Sequence, residues 1–237
     1  YNLRPGPDLA EALRQRVGEV DFAEHFGHDV RYVHIALPEA PADVPVTEWT
    51  PEPAPELVAA AGQAVCALQQ RGLAVCAGYA CGVFEQAKHW LGDAPALTGP
   101  YDDPQRFAET LDRIVAWKCA LYGAYVSAGV DIVWIGDDLG TQRSLVMSPA
   151  CYREWYWPRH KRIVAHLRAI RPEVNIAFHC CGHVTPLIPE LIEAGIDVLE
   201  AVQPEAMDLA FLKREFGRDL AFWGGIGAQS ILQRPTA

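Results

Sequence analysis

Short apolar runs alternate with amphipathic segments along most of the chain. From residue 73 onward, each apolar run is followed by a longer segment whose apolar positions recur every three to four residues. Short apolar runs bounded by turn residues are typical of buried strands, and the longer periodic segments are typical of helices. The pattern predicts five strands, at residues 73–80, 130–135, 175–178, 197–202 and 220–223.

Prolines and glycines mark the boundaries of the helices between these strands. Asp103-Pro104 and Ser148-Pro149 each place a capping side chain directly before a proline at the first helical position. Glycines such as Gly72 and Gly92 follow the last periodic residue and end a helix. The predicted helices cover residues 57–71, 83–91, 103–128, 148–171, 185–194 and 209–216.

Strands that alternate with helices indicate a parallel α/β sheet covered by helices. Two architectures fit this order, a closed (β/α)₈ TIM barrel and an open doubly wound sheet. The first predicted strand is not followed by a G-x-G-x-x-G motif, and residues 78–82 show only a loose likeness to it. A dinucleotide site is therefore disfavoured, and we predict the barrel.

The first 56 residues differ from the rest of the chain. Asp8 can cap a helix over Leu9–Val17, and residues 29–37 resemble a short strand, whereas residues 38–55 hold six prolines. We therefore divide the chain into residues 1–56, an N-terminal helix and Pro-rich arm, and residues 57–237, the barrel body. Five strands are too few for a barrel, so we expect it to be incomplete or truncated at one or both ends.

Composition excludes several classes of function. The formal net charge is −10 and lysines and arginines form no stripe, which argues against a nucleic-acid partner. No apolar run is long enough to cross a bilayer, so we expect no membrane association. The seven cysteines are an odd number and mostly lie in apolar segments, which favours reduced thiols or metal ligands and a cytoplasmic location.

Unusual chemistry follows the predicted strand at residues 175–178. In an extended segment, side chains two positions apart share a face, so His179 and Cys181 would project together and Cys180 would face the opposite way. An imidazole and a thiolate are half of a tetrahedral zinc site, whose third ligand must come from another strand end. A buried cysteine pair beside a hydrogen-bonded histidine is the structural alternative, and the residues alone leave both open.

Two carboxylates follow the strand at residues 130–135. Asp137 and Asp138 could form a polar floor that holds substrate or accepts a proton, with Gln142 on the same loop. Alternatively, one of the two aspartates pairs with Arg143 or caps a turn. Two adjacent carboxylates at a strand end are costly unless one of them is paired, solvated or partly protonated.

The strand at residues 197–202 ends between two polar side chains. Glu200 and Gln203 could hydrogen-bond a ligand or complete a metal shell, and a structural use is equally consistent with the sequence. Other candidates for contact with substrate lie at or near strand ends. They are Tyr79, Phe84-Glu85, His183 and Trp223.

Several segments over residues 70–232 resemble the uroporphyrinogen decarboxylase superfamily, in the same order along the chain. They are Asp131–Gln142 followed by Ser148-Pro149, His179-x-Cys181-Gly182, Gln203-Pro204, Leu212-Lys213 with Phe216-Gly217, and Trp223–Ile226 with Gln229. The resemblance implies a (β/α)₈ barrel. Gly227 departs from the family pattern, in which aspartate is common at this position.

One branch of this superfamily comprises corrinoid-dependent methyltransferases. The resemblance of this sequence to that branch implies that His179 and Cys181 bind zinc, with the third ligand past Ala237. It also implies a methylcobalamin-carrying corrinoid protein as partner and a small-molecule thiol as methyl acceptor. Under this hypothesis, the catalytic residues are Asp137, Asp138, Gln142 and Gln203, and the substrate-binding residues are Tyr79, Phe84, His183, Glu200 and Trp223.

Two alternatives stay open. Cofactor-free decarboxylases of the superfamily use an Arg-Gln-Ala-Gly-Arg-like segment near the amino terminus, and this chain shows no such segment. A barrel that binds a cobamide or tetrapyrrole without catalysis is the second alternative. The oligomeric state is open as well, with a homodimer as one candidate.

Overall fold

In the computed structural model, the described residues are 22–36, 48–49, 52–79, 81–227 and 229–230. The predicted helix Leu9–Val17 and most of the Pro-rich arm lie outside this part of the chain. The division at residue 56 therefore stays a prediction.

Six strands form one sheet in the described residues. They are β1 (Val30–Tyr32), β2 (Ala74–Tyr79), β3 (Ile132–Gly136), β4 (Asn175–His179), β5 (Val198–Ala201) and β6 (Ala221–Gly224). Every neighbouring pair is parallel, and the order in the sheet is the order along the chain. A doubly wound sheet reverses its order at a switch point, so the sequential order identifies winding of the barrel type.

The sheet curls towards closure. The rings of Tyr32 on β1 and Trp223 on β6 stack with their centroids 6.5 Å apart, although five strand-to-strand steps separate them in the sheet. The described residues therefore form an incomplete (β/α) barrel, as predicted. The five strands predicted after residue 72 are all present, and β1 lies within the predicted segment 29–37.

Helices surround the sheet. They are α1 (Phe22–His25), α2 (Pro55–Gln70), α3 (Val83–Leu91), α4 (Asp93–Asp102), α5 (Pro104–Ser127), α6 (Pro149–Cys151), α7 (Trp157–Ile170), α8 (Ile188–Ala194) and α9 (Leu209–Phe216). A π-helical turn over Tyr152–Tyr156 joins α6 to α7, and a 3₁₀ turn over Thr185–Leu187 precedes α8. None of the helices in the described part of the chain has the length and apolar character needed to cross a bilayer.

Predicted caps are confirmed where the structure describes them. The Asp103 carboxylate accepts a hydrogen bond from the Arg106 amide at 3.1 Å, and the Ser148 hydroxyl accepts one from the Cys151 amide at 3.1 Å. Helix α4 is not predicted by the sequence pattern, because Pro95, Gly99 and Pro100 all disfavour helix interiors.

Two separate apolar layers lie on the two faces of the sheet. The main core between strands and helices includes Val75, Val133, Ile176 and Leu199 from the strands. A smaller cluster lines the inside of the curl, and its buried members are Cys76, Trp134 and Ala177. Since successive strand residues alternate between these two faces, neighbouring residues at a strand end have different surroundings.

Candidate metal centre

His179 ends strand β4 on the inside of the curl. It pairs in register with Gly136 on β3 and Glu200 on β5. The His179 Nε2 atom lies 3.4 Å from the Cys181 Sγ atom, so the prediction that these two side chains project together is confirmed. Cys180 is fully buried and its Sγ accepts a hydrogen bond from the Leu139 amide, at 3.3 Å, as the alternation predicts for the opposite face.

Asp138 brings a third donor to the same place from the neighbouring strand end. Asp138, His179 and Cys181 each offer one ligand atom, and these atoms all lie within 4.8 Å of one another. The Asp138 Oδ1 atom is 3.5 Å from His179 Nε2 and accepts a hydrogen bond from the Cys181 amide at 2.8 Å. One imidazole nitrogen, one sulfur and one carboxylate oxygen fit zinc, and three protein ligands leave a coordination position open.

The third donor differs from the sequence expectation. The sequence predicts Asp138 in the pocket as a catalytic residue rather than as a ligand, and the resemblance implies a third ligand past Ala237. The chain itself supplies three donors, because β3 and β4 are adjacent and their carboxyl ends meet at one edge of the sheet. A further ligand past Ala237 stays a prediction.

Glu200 orients His179 from the next strand. The Nδ1 atom of His179 is hydrogen-bonded to the Glu200 Oε2 atom, which also accepts a hydrogen bond from the Trp134 indole at 3.1 Å. A carboxylate on the second ring nitrogen fixes the ring so that the first nitrogen can bind a metal, an arrangement common around zinc. This contact gives Glu200 a positioning role, and contact between Glu200 and substrate stays a prediction.

The protonation of His179 depends on its partners. Burial lowers the pKa of His179, but its hydrogen bonds with Cys181 and Glu200 outweigh burial and raise the pKa to about 9. Burial alone would raise the pKa of Glu200, but the hydrogen bond and charge of His179 hold it below its usual range. Without metal, the pair is therefore an imidazolium and a carboxylate, and a metal ion must displace a proton to bind.

Gln203 holds the turn that follows Cys181. Its Oε1 atom accepts a hydrogen bond from the Gly182 amide at 2.6 Å. Gly182 has a φ of +79°, and a Cβ atom there would lie 2.4 Å from the Thr141 carbonyl oxygen. Val202, just before Gln203, has a φ of +50°, a strained conformation for a β-branched residue. Gln203 thus stabilises the turn, and a catalytic role for it stays a prediction.

Asp137 lies on the opposite side of the sheet from the cluster. It is fully buried, and its carboxylate accepts hydrogen bonds from the amides of Val83, Phe84 and Glu85 at 2.9–3.0 Å. These amides form the first turn of α3, for which Gly82 provides no side-chain cap. Of the two interpretations left open by the sequence, capping therefore describes Asp137. The structure does not bring it into one pocket with Asp138: the two residues directly follow β3, and their carboxylates lie on opposite sides of the sheet.

The other predicted substrate contacts divide between the two faces. Trp223 lies inside the curl, where it packs on the small inner cluster. Phe84 is buried in the helix layer with its ring edge-on to Tyr156, at 5.7 Å, and does not face the cluster. The Nδ1 atom of His183 is hydrogen-bonded to the Ala206 carbonyl at 2.9 Å, and Gln142 is exposed on its loop. Their roles towards substrate stay predictions.

Two titratable side chains with shifted pKa values lie near the end of β2. Glu85 belongs to the predicted candidate pair Phe84-Glu85, whereas the sequence pattern does not single out Lys118. Lys118 on α5 is fully buried, its Nζ lies 4.3 Å from the centroid of the Tyr79 ring, and it donates a hydrogen bond to Gln86 at 3.1 Å. Burial lowers the pKa of Lys118 to about 7. Burial, followed by the charges of Asp137 and Asp138, raises the pKa of Glu85 to about 7. No local signal distinguishes a buried lysine on an amphipathic helix from an exposed one.

An incomplete parallel barrel with a donor cluster at its strand ends defines a (β/α)-barrel protein with a candidate metal centre. The uroporphyrinogen decarboxylase (URO-D) family model matches residues 72–236, so the chain belongs to this family.

Two known proteins illustrate the relationship. A uroporphyrinogen decarboxylase of Gloeobacter violaceus is 26% identical over 121 residues, which are 51% of this chain and 31% of that protein. A methyltransferase from Methanosarcina mazei has the same fold, with a TM-score of 0.59 at 18% identity over 75% of this chain and 50% of its own. The match therefore covers only 31% of the first relative's length and 50% of the second's.

Proposed function

We propose that the barrel binds zinc through Asp138, His179 and Cys181 and transfers a methyl group from a methylated corrinoid, carried by a partner protein, to a small thiol acceptor. One observation carries the proposal: three donor atoms of the types zinc prefers lie within 4.8 Å of one another at adjacent strand ends. The likeness of the fold to a methyltransferase from Methanosarcina mazei supports it.

The residues of the site have separate tasks in this proposal. When bound, zinc would lower the pKa of the acceptor thiol, so that the acceptor is held as the thiolate that can take a methyl group. His179 and Cys181 supply two donors from one strand end, which sets their relative position. Glu200 holds the imidazole through Nδ1 and leaves Nε2 directed at the cluster.

The charge of the inner face favours methyl transfer over decarboxylation of an acidic tetrapyrrole. Among the described strand residues that face the inside of the curl, none is lysine or arginine, and Glu200 is acidic. A substrate that carries several carboxylates needs cationic partners in its pocket. Decarboxylation, the activity named for the Gloeobacter relative, is the alternative that this feature disfavours.

Metal analysis of the purified chain is the first test. We expect one zinc per chain in the wild type, and loss of zinc in His179→Ala and Cys181→Ser. Cys66→Ser is the matched control, because Cys66 is an exposed cysteine outside the cluster, and it should retain zinc. Zinc-free wild-type protein, or equal zinc in all four proteins, would contradict the proposal.

An activity assay separates the three functions. With methylcobalamin and 2-mercaptoethanol as probes, methyl transfer forms the methyl thioether and demethylated cobalamin. The thioether should form with wild type and Cys66→Ser, and its rate should fall at least 100-fold in Cys181→Ser. Carbon dioxide release from uroporphyrinogen by zinc-free protein would instead establish the decarboxylase, and binding of cobalamin without turnover would establish a non-catalytic barrel.

A further inference from the structure

Tyr152, His160 and Asp137 form a buried hydrogen-bonded chain directly behind the metal cluster. The Tyr152 hydroxyl lies 3.1 Å from His160 Nδ1, and His160 Nε2 lies 3.1 Å from the Asp137 Oδ2 atom. All three side chains are at most 2% exposed. The imidazole also packs edge-on against the Phe178 ring, at 5.3 Å, in the core next to β4.

The hydrogen-bond partners determine which atoms donate and which accept along Tyr152, His160 and Asp137. Asp137 also accepts three backbone hydrogen bonds from the first turn of α3, so its carboxylate acts as an acceptor throughout. His160 must then donate from Nε2, which leaves Nδ1 to accept the proton of the Tyr152 hydroxyl. Each polar atom in the chain has the partner that its chemistry requires.

The π-helical turn places Tyr152 where His160 needs it. Residues eight apart differ by about 80° around a regular α-helix, whereas residues seven apart lie on one face. The π turn over Tyr152–Tyr156 absorbs one extra residue, so Tyr152 and His160 are spaced around the helix like positions seven apart. The π turn therefore sets the position of the Tyr152 hydroxyl against His160 Nδ1.

Asp137 connects these hydrogen bonds to the donor cluster. Its amide donates a hydrogen bond to the His179 carbonyl at 2.9 Å, and its carboxylate is held in the helix layer. Asp137 and Asp138 directly follow β3 and point to opposite sides: the Asp137 carboxylate is held in the helix layer, and the Asp138 carboxylate lies on the inside of the curl. There the Asp138 carboxylate meets the Cys181 amide and His179.

From this geometry we infer that His160 is a positioning residue for the metal centre: it anchors Asp137, and through Asp137 it sets where the Asp138 carboxylate lies. The inference rests on the proposed function, since it assigns His160 a task at the proposed zinc site. His160 itself touches no atom of the cluster. Its contribution is geometric, and Tyr152 supports it from behind.

Cobalt(II) titration of the purified full chain, followed by visible absorption, tests the inference. His160→Phe keeps a buried ring but removes the donor, and we expect affinity for cobalt to fall about 10- to 100-fold with an altered spectrum. Tyr152→Phe should cause a smaller loss, and His160→Gln, which retains an N–H donor, should recover part of it. His166→Phe on the same helix is the matched control, since His166 is exposed, and should bind as the wild type does.

Amide hydrogen exchange supplies a readout without metal. The amides of Val83, Phe84 and Glu85 should exchange faster in His160→Phe than in His166→Phe, while the strands keep their protection. Failure of wild type and His166→Phe to bind cobalt would contradict the proposed function. The exchange data would still show whether His160 holds Asp137 against the first turn of α3.

Faster exchange at these amides with unchanged cobalt affinity and spectrum in His160→Phe would overturn the inference. Unchanged exchange would overturn it too. Should His160→Phe not fold, Tyr152→Phe takes its place, and wild-type affinity and exchange in that variant would overturn the inference.

Discussion

At the scale of single residues, Asp137 and Asp138 show how one residue type takes two tasks at adjacent positions. Asp137 is fully buried and caps α3, whereas Asp138 contributes an oxygen to the donor cluster. The two residues directly follow β3, and their side chains continue its alternation between the two layers of the barrel. The sequence Gly136-Asp137-Asp138 shows two adjacent carboxylates but not that they have different tasks.

Substitution of each aspartate by asparagine should separate the two tasks. Asp137→Asn turns an acceptor of buried amide protons into a group that also presents donors, so we expect the free energy of unfolding to fall by about 2–4 kcal/mol. Asp138→Asn should change it by less than about 0.5 kcal/mol and weaken zinc binding instead. Urea denaturation and metal titration measure the two effects, and equal stability losses would contradict this assignment.

Lys118 should give the chain a distinctive dependence of stability on pH. Burial lowers its pKa from 10.5 to about 7, so between these values the unfolded chain holds the proton that the folded chain has lost. Through this group, the stability of the folded state is lowest below pH 7 and rises with pH up to about 10.

Lys118→Met removes this dependence and serves as the reference. The free energy of unfolding of the wild type should rise relative to that of Lys118→Met between pH 7 and pH 10, on the order of a few kcal/mol. Chemical denaturation of both proteins across this range measures the difference, in which shared titrations of cysteine and tyrosine cancel. A difference that does not change with pH would contradict a buried Lys118 with a lowered pKa.

At the scale of elements, the loops after β3 and β4 pack against each other through glycine. Gly140 and Gly182 face each other's loops so closely that a Cβ on either would lie under 3 Å from backbone atoms. This contact brings the Asp138 end of β3 against the Cys181 turn. The sequence pattern predicts the two strand ends, but close packing of two loops has no local signal in the sequence.

Gly182→Ala and Gly72→Ala should distinguish crowding from backbone strain. The two glycines have φ of +79° and +78°, but a Cβ at position 72 meets nothing within 4 Å. Gly72→Ala should cost about 1–2 kcal/mol from the left-handed conformation alone. Gly182→Ala should cost more than this and also weaken zinc binding, since the Cys181 turn must shift. Thermal denaturation and zinc titration test this, and equal costs would argue against the crowding.

At the scale of the whole molecule, three strands in an ordered sheet bring the cluster and its support together. Asp138 follows β3, His179 and Cys181 belong to the end of β4, and Glu200 lies on β5. Parallel neighbours place all these carboxyl ends at one edge, so metal binding would link elements spread over more than 60 residues. A ligand that binds only this folded arrangement stabilises the whole fold.

Zinc should therefore raise the melting temperature. At free zinc about 100 times its Kd, linkage gives about 2.7 kcal/mol, or about 5–10 °C for a domain of this size. Differential scanning calorimetry should show this shift in the wild type and in Cys66→Ser, and not in Cys181→Ser. The same shift in all three proteins would point to a zinc site elsewhere.

Sequence alone determined the order of strands and helices, the barrel-type fold, the family resemblance and the shared face of His179 and Cys181. The order of elements and the shared face follow from periodicity, from caps and from a spacing of two, all of which act over a few residues, and the resemblance rests on short motifs that occur in order along the chain. The sequence pattern does not predict helix α4, because its prolines and glycine disfavour a helix locally, while packing of Gly99 against Phe107 supports it. Only the tertiary structure decided that Asp138 joins the cluster, that Asp137 and His160 lie behind it, and that Lys118 is buried. These contacts join residues far apart in the chain. They depend on how neighbouring strands are aligned in the sheet, and this alignment leaves no pattern in any one segment of the sequence.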